Sequence, residues 1–132
     1  MASVPRGIRN NNPLNIRKGN DWNGETALSL DSEFETFKNP TYGFRAAAKL
    51  IRNYYHKYNL TTIRDIISRW APPNENNTES YINKVASAVG VNPNSDVDID
   101  DVLPELLQAM AHHENGGNYY NLLMIKAGIQ LA

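Results

Sequence analysis

The chain has 132 residues, 41% hydrophobic and 20% charged, enough for one domain with its own core and too apolar for a disordered segment. Cysteine is absent, which excludes a disulfide framework, thiolate metal sites and a thiol nucleophile. A net charge of −1 hides an uneven spread: 11 Lys and Arg against 6 Asp and Glu over residues 1–70, then 2 against 8 over residues 71–132. The basic residues of the first half are scattered, so a solvated surface is expected rather than a nucleic-acid interface. No apolar run is long enough to span a membrane, and the opening Met-Ala-Ser-Val-Pro-Arg-Gly has no apolar core of a secretory signal.

Residues 1–24 read as irregular, with turn-rich Arg9-Asn10-Asn11-Asn12-Pro13 and Lys18-Gly19-Asn20-Asp21. Weak alternation from Thr26 to Phe37, broken at Asp31-Ser32, predicts a small β-hairpin. On this pattern Glu33 and Glu35 point outward beside Phe34 and Phe37. Asn39-Pro40-Thr41 opens a helix to about Tyr58, with Phe44, Ala47, Ala48, Ile51, Tyr54 and Tyr55 on one side. Thr62-Ile63-Arg64-Asp65 resembles a capping box and starts a helix that Ala71-Pro72-Pro73 stops. Thr78 is expected to cap a further helix with Tyr81, Ile82, Val85 and Val89 inward and Gly90 as its stop. An acidic loop precedes a helix from Leu103 to Gly116-Gly117, and Asn121 can cap a last one. The expectation is one mainly α domain with one hairpin.

The helix from Leu103 carries an unusual carboxylate. At about 100° per residue, Leu103, Leu106, Leu107, Met110 and Ala111 share an apolar arc. Glu114 falls into that arc, roughly 20° from Leu103 on the same count. A carboxyl aimed at the apolar side is poorly solvated, which raises its pKa and keeps a proton available near neutrality. A general acid in glycoside cleavage needs that property. The alternative is a frayed helix end that turns Glu114 to water. His112 and His113 do not make a metal pair, because adjacent helix residues diverge and no third ligand is suitably spaced.

Three blocks resemble bacterial and phage cell-wall lytic enzymes with a lysozyme-like fold: Asn12-Pro13-Leu14-Asn15-Ile16-Arg17, Trp22-Asn23-Gly24-Glu25, and Phe34 to Pro40 with Gly43-Phe44-Arg45-Ala46. In such enzymes the helix bearing the catalytic Glu precedes these blocks. Here the helix that looks like it, Ala109 to Gly117, lies at the C-terminal end. The resemblance therefore implies a circularly permuted lysozyme-like domain, a cheap rearrangement because termini often lie close together on the surface. Arg9 to Arg17 and Trp70 to Ile82 further resemble a family of small muralytic proteins of phages and prophages, except that Leu14 stands where Gly is expected.

The resemblance implies cleavage of the bond between N-acetylmuramic acid and N-acetylglucosamine, with Glu114 as acid and then base. One carboxylate suffices for a lytic transglycosylase, in which the muramyl C6 hydroxyl attacks C1. A hydrolytic muramidase normally adds a second, and Glu25 is the best candidate, with an exposed hairpin-base charge as the plain alternative. Tyr81 is expected near the acid, although its position alone favours core packing. Asn12, Asn15, Asn76 and Asn77 are amide-rich enough to read sugar hydroxyls and acetamides. Trp22 can stack on a pyranose face, as can Trp70, which position assigns to the core. The expected partner is the peptidoglycan glycan strand, met by a monomer without nucleic acid, membrane insertion, metal or cofactor. Synthesis in the bacterial cytoplasm and action at the periplasm or wall, by virion or holin delivery, follow from the same resemblance. A non-catalytic glycan-binding or virion module is the rival from another class.

Overall fold

The computed structural model describes residues 4–28, 31–72 and 77–132. Among them six helices form: α1 (Arg6–Arg9), α2 (Pro40–Tyr58), α3 (Ile63–Trp70), α4 (Thr78–Val89), α5 (Ile99–Asn115) and α6 (Leu122–Leu131). The protein is mainly α, as expected. None of these helices is long and apolar enough to cross a membrane.

Side-chain caps account for most helix starts. Asn39 accepts from Thr41 N at 3.0 Å ahead of Pro40, Thr62 from Asp65 N at 3.1 Å, and Asn121 from Met124 N at 2.9 Å. Two starts differ from expectation. The cap of α4 is Asn77, which accepts from Ser80 N at 3.2 Å, while Thr78 Oγ1 turns back to Ala71 O at 2.6 Å. α5 begins a turn earlier than Leu103, because Asp98 caps it through Asp100 N at 3.1 Å. It ends where Gly116 takes a left-handed φ of 70°.

α5 is the central element and packs on α4, α6, α2 and α1. Its Leu103, Leu106, Leu107 and Met110 are fully buried against Phe44 and Ile51 of α2, Tyr81, Ile82 and Val85 of α4 and Ile125 of α6, all in one core cluster. Each large side chain buried this way contributes roughly 1.5–3 kcal/mol. The Phe44 and Tyr120 rings meet edge-on at 5.1 Å. The short helix α1, not expected from the turn-rich start, lies against the end of α5. Gly7 permits this approach: a Cβ there would sit 2.5 Å from Asn115 Oδ1 and 2.8 Å from Asn12 O.

The expected hairpin is corrected. Residues 33–38 do pair, but with 16–18 and 24–26 rather than with Ala27 and Leu28. Glu35 N donates to Ile16 O and Lys18 N to Glu33 O on one edge; Thr26 N donates to Thr36 O and Lys38 N to Gly24 O on the other. The isolated bridges Arg17–Phe34 and Glu25–Phe37 mark the two antiparallel registers. Ala27 and Leu28 are exposed bends, and Ser29 and Leu30 lie outside the described residues. Asp31 is the reason. It is buried rather than at a turn apex, and accepts from Arg6 Nε and Nη2 (both 2.6 Å), Asn10 Nδ2 (3.0 Å), and Glu33 and Phe34 N (2.9 and 3.0 Å). These donors, led by the Arg6 guanidinium, hold its carboxyl well below the usual range.

A candidate acid site at the end of helix α5

Glu114 sits in the last turn of α5 and points inward rather than fraying. Its Oε1 accepts from Asn15 Nδ2 at 3.1 Å and its Oε2 from the Tyr81 hydroxyl at 2.9 Å. The first contact joins residues 99 apart in sequence. Next to it, Asn115 Nδ2 donates to Pro13 O at 2.8 Å. The N-terminal loop and the C-terminal helix thus meet at this carboxyl. Burial pushes the Glu114 carboxyl above its ordinary range, while the two donors pull it part of the way back.

Each partner is held in turn. Asn15 has a left-handed φ of 53°, a conformation that Asn tolerates better than most residues. Leu14, where glycine was expected, needs no such freedom: its φ is not positive and its side chain is fully buried in the core. Tyr81 is only 1% exposed, so it both packs in the core and reaches the acid. Burial and the Glu114 charge raise its phenol well above the usual range. The His113 ring stacks on Tyr81 at 3.8 Å with a 25° interplanar angle. Burial lowers the His113 pKa, with Lys84 and His112 adding to the effect.

Glu114 opens onto a cavity of about 150 Å³ lined by Leu14, Asn15, Arg17, Phe34, Trp70, Ala71 and Pro72. A second, of about 230 Å³, shares Asn15, Arg17 and Trp70 with the first and extends past Asn20 to Tyr54. Together they form a trough, with Asn15, Arg17 and Trp70 in the walls of both compartments. Trp70 is half-buried and meets Tyr54 edge-on at 6.3 Å. The larger hollow of about 470 Å³ between α4 and α5, lined by Lys84, His112 and His113, does not include Glu114.

The other expected site residues fall elsewhere. Asn12 is fully buried, and its amide serves the loop backbone: it donates to Ile16 O and Glu35 O and accepts from Ile16 N. It has nothing left for a sugar. Asn77 is a helix cap, and Asn76 lies outside the described residues. Trp22 is half-buried against the core and does not line the trough; its buried Nε1 has no hydrogen-bond partner among the described residues.

Glu25 does not line the trough either. Its Oε1 accepts from Trp22 N at 3.0 Å, and its carboxyl lies close enough to Glu35 to raise the pKa of that group. The register explains that pair: Glu25 lies opposite Phe37, so Glu35 is its diagonal neighbour on the same face. The expectation that Glu35 points outward is therefore wrong. It is 6% exposed, and burial, followed by the Glu25 hydrogen bond and charge, pushes its carboxyl up to about 7. Alternation fails here because residues 33–38 are paired on both edges. Glu33 does point outward, 3.5 Å from Arg17 and 3.9 Å from Arg6.

Sequence reasoning missed Arg17 as a wall of the trough. No strand period marks it, because Asn15 takes a left-handed φ of 53° and Ile16 lines the same hollow as its two neighbours.

No family model matches the chain. It is, however, 48% identical over 134 residues to Protein P5 of Pseudoalteromonas phage PM2, an alignment that covers 98% of this chain and 83% of the phage protein. That identity over nearly the full length shows that the chain belongs to the family of this phage protein.

Proposed function

We propose that the protein is a peptidoglycan-degrading enzyme, a circularly permuted lysozyme-like domain that cleaves the MurNAc–GlcNAc bond as a lytic transglycosylase with Glu114 as general acid and base. One observation carries the reading: a desolvated carboxyl at a helix end, held by a donor on each oxygen, faces a trough with an indole in its wall. Burial raises the Glu114 carboxyl above its ordinary range and so favours the protonated form, whose proton can be given to the glycosidic oxygen. The bond from C1 to that oxygen breaks, and an oxocarbenium-like charge develops at C1. The Glu114 carboxylate then takes the proton of the muramyl C6 hydroxyl as O6 bonds to C1, leaving a 1,6-anhydro sugar. Tyr81 suits both stages, because a hydroxyl donates to a carboxylate and accepts from a carboxylic acid by rotating in place. Asn15 fixes the other oxygen.

The position of Glu25 supports the single-carboxylate path over a two-carboxylate muramidase, since its carboxyl is engaged by Trp22 N and Glu35 away from the trough. The relationship to a phage protein fits delivery by virion or holin to the cell wall. The test is mass spectrometry of muropeptides released from purified sacculi by the parent and by Glu114→Gln. The parent should yield 1,6-anhydro ends and the variant none. Reducing ends from the parent would replace the transglycosylase with a hydrolase. Wall binding without any product would leave a glycan-binding module.

A further inference from the structure

Arg17 and Glu114 are the charged residues lining the two joined compartments of the trough. They are not spent on each other: Glu114 is held by Asn15 and Tyr81, and the Arg17 side chain is 62% exposed. The Arg17 guanidinium lies 4.9 Å from the Phe34 ring centroid, which supports its plane. Its one carboxylate neighbour among the described residues is Glu33, reached by Nη1 alone at 3.5 Å; Glu33 is itself 55% exposed and also near Arg6. A guanidinium has five donors in a planar fork suited to a carboxylate. Of those donors in Arg17 only Nη1 has a partner among the described residues, and the side chain lines both compartments.

Glycans differ in what they offer such a fork. A chain of N-acetylglucosamine has no carboxylate. A chain containing muramic acid carries one on each muramyl residue, either the free lactyl group or, when that is amidated, the acids of the stem peptide. We infer that Arg17 is the specificity-determining residue of the trough, reading a carboxylate on the muramyl substituent of the glycan whose glycosidic bond lies at Glu114. This rests on the function proposed above and adds the chemical mark by which the substrate is told from other N-acetylated glycans.

Binding of soluble strands to Glu114→Gln tests it without turnover. Three ligands are compared: strands with free lactyl carboxylates, the same strands after methyl esterification, and strands retaining stem peptides. The expected preference for the free acid over the ester is roughly tenfold, the size of a partly exposed charge-assisted bidentate contact. Adding Arg17→Gln should bring that ratio to within about twofold of one, and adding Arg17→Lys should leave it in between, because charge is kept and the fork is lost. Arg17-dependent binding of the peptide-bearing strands would assign the carboxylate to the stem, and its restriction to stripped strands would assign it to the lactyl group. A preference that survives Arg17→Gln overturns the inference, as does equal weakening on acid and ester, which marks a structural role. Equal binding of acid and ester by Glu114→Gln overturns it too, while leaving a glycan-binding trough. Failure to bind any strand instead removes the glycan reading itself.

Discussion

Glu35→Gln should stabilise the protein above neutral pH and leave it unchanged in acid. The Glu35 carboxyl is 6% exposed, shares a face with Glu25, and has an oxygen, Oε2, with no hydrogen-bond partner among the described residues. It is pushed from 4.5 up to about 7 in the fold. The fold therefore holds a proton that the unfolded chain releases. Stability contributed by this group is complete below about pH 4.5, falls as pH rises through the window from there to about 7, and is flat beyond it. At 1.36 kcal/mol per unit, that shift sets a ceiling of about 3 kcal/mol, and relaxation of the surface loop brings the expected loss to about 1–2. Gln keeps the shape and the donor that the protonated acid offers Glu25, but has nothing to ionise. Urea unfolding of both proteins from pH 4 to 9, followed by circular dichroism, gives the difference profile. Taking the difference matters, because Asp31 gives the opposite slope: its depressed carboxyl stabilises the fold at neutral pH and loses that effect in acid. The curves should coincide at pH 4 and separate by about 1–2 kcal/mol at pH 8. Parallel profiles across that range would show that Glu35 is ionised in the fold at little cost, and the reasoning about its burial would be wrong.

Glu114→Gln should reduce lysis of sacculi by roughly 10²–10⁴-fold, the usual share of general acid catalysis, with the fold retained by circular dichroism; activity within a few-fold of the parent removes Glu114 from that role. Glu25→Gln should cost only a modest fraction of the rate and keep the 1,6-anhydro product, whereas losses equal to those of Glu114→Gln, with reducing ends from the parent, would support a two-carboxylate hydrolase. Tyr81→Phe removes a donor that lowers the Glu114 pKa, so the alkaline limb of the pH profile of kcat/KM should move to higher pH, and a shift to lower pH would contradict the assigned hydrogen bond. Gly7→Ala places a Cβ 2.5 Å from Asn115 Oδ1 and should destabilise the fold by about 1–3 kcal/mol in urea, which an unchanged midpoint would refute.

Helices α2 to α6 were legible because each is written twice, once in its apolar period and once in its caps. α2 shows both in Asn39-Pro40 and in Phe44, Ala47, Ala48 and Ile51. The same rules misplaced the start of α4, where Thr78 and Asn77 are both good caps and only the reach of Thr78 Oγ1 to Ala71 O distinguishes them. The loop between α1 and α2 was illegible for a different reason. Its order comes from buried polar side chains that serve the backbone, Asn12 and Asp31, and from edges paired across an intervening segment. Neither leaves a period in the sequence. Asn12 read as a sugar-binding amide and Asp31 as a turn residue because, alone, each is the same residue type in either role.

The buried carboxyl of Glu114 was legible for a reason that also explains why its surroundings were not. A helix has a fixed angle per residue, so Glu114 could be assigned to the apolar arc from sequence alone, and a polar residue on that arc must be answered by a partner. The angle does not say which partner. The answer comes from residues 33 and 99 positions away, Tyr81 and Asn15, brought in by the packing of α4 on α5 and of the N-terminal loop against the helix end. Burial alone would leave Glu114 a poor acid in the opposite sense, protonated too firmly to release its proton. The two donors oppose that effect, so the pair sets how far above its ordinary range the carboxyl rests. The position of the acid is a property of one helix, whereas its strength is a property of the fold, and only the first can be read along the chain.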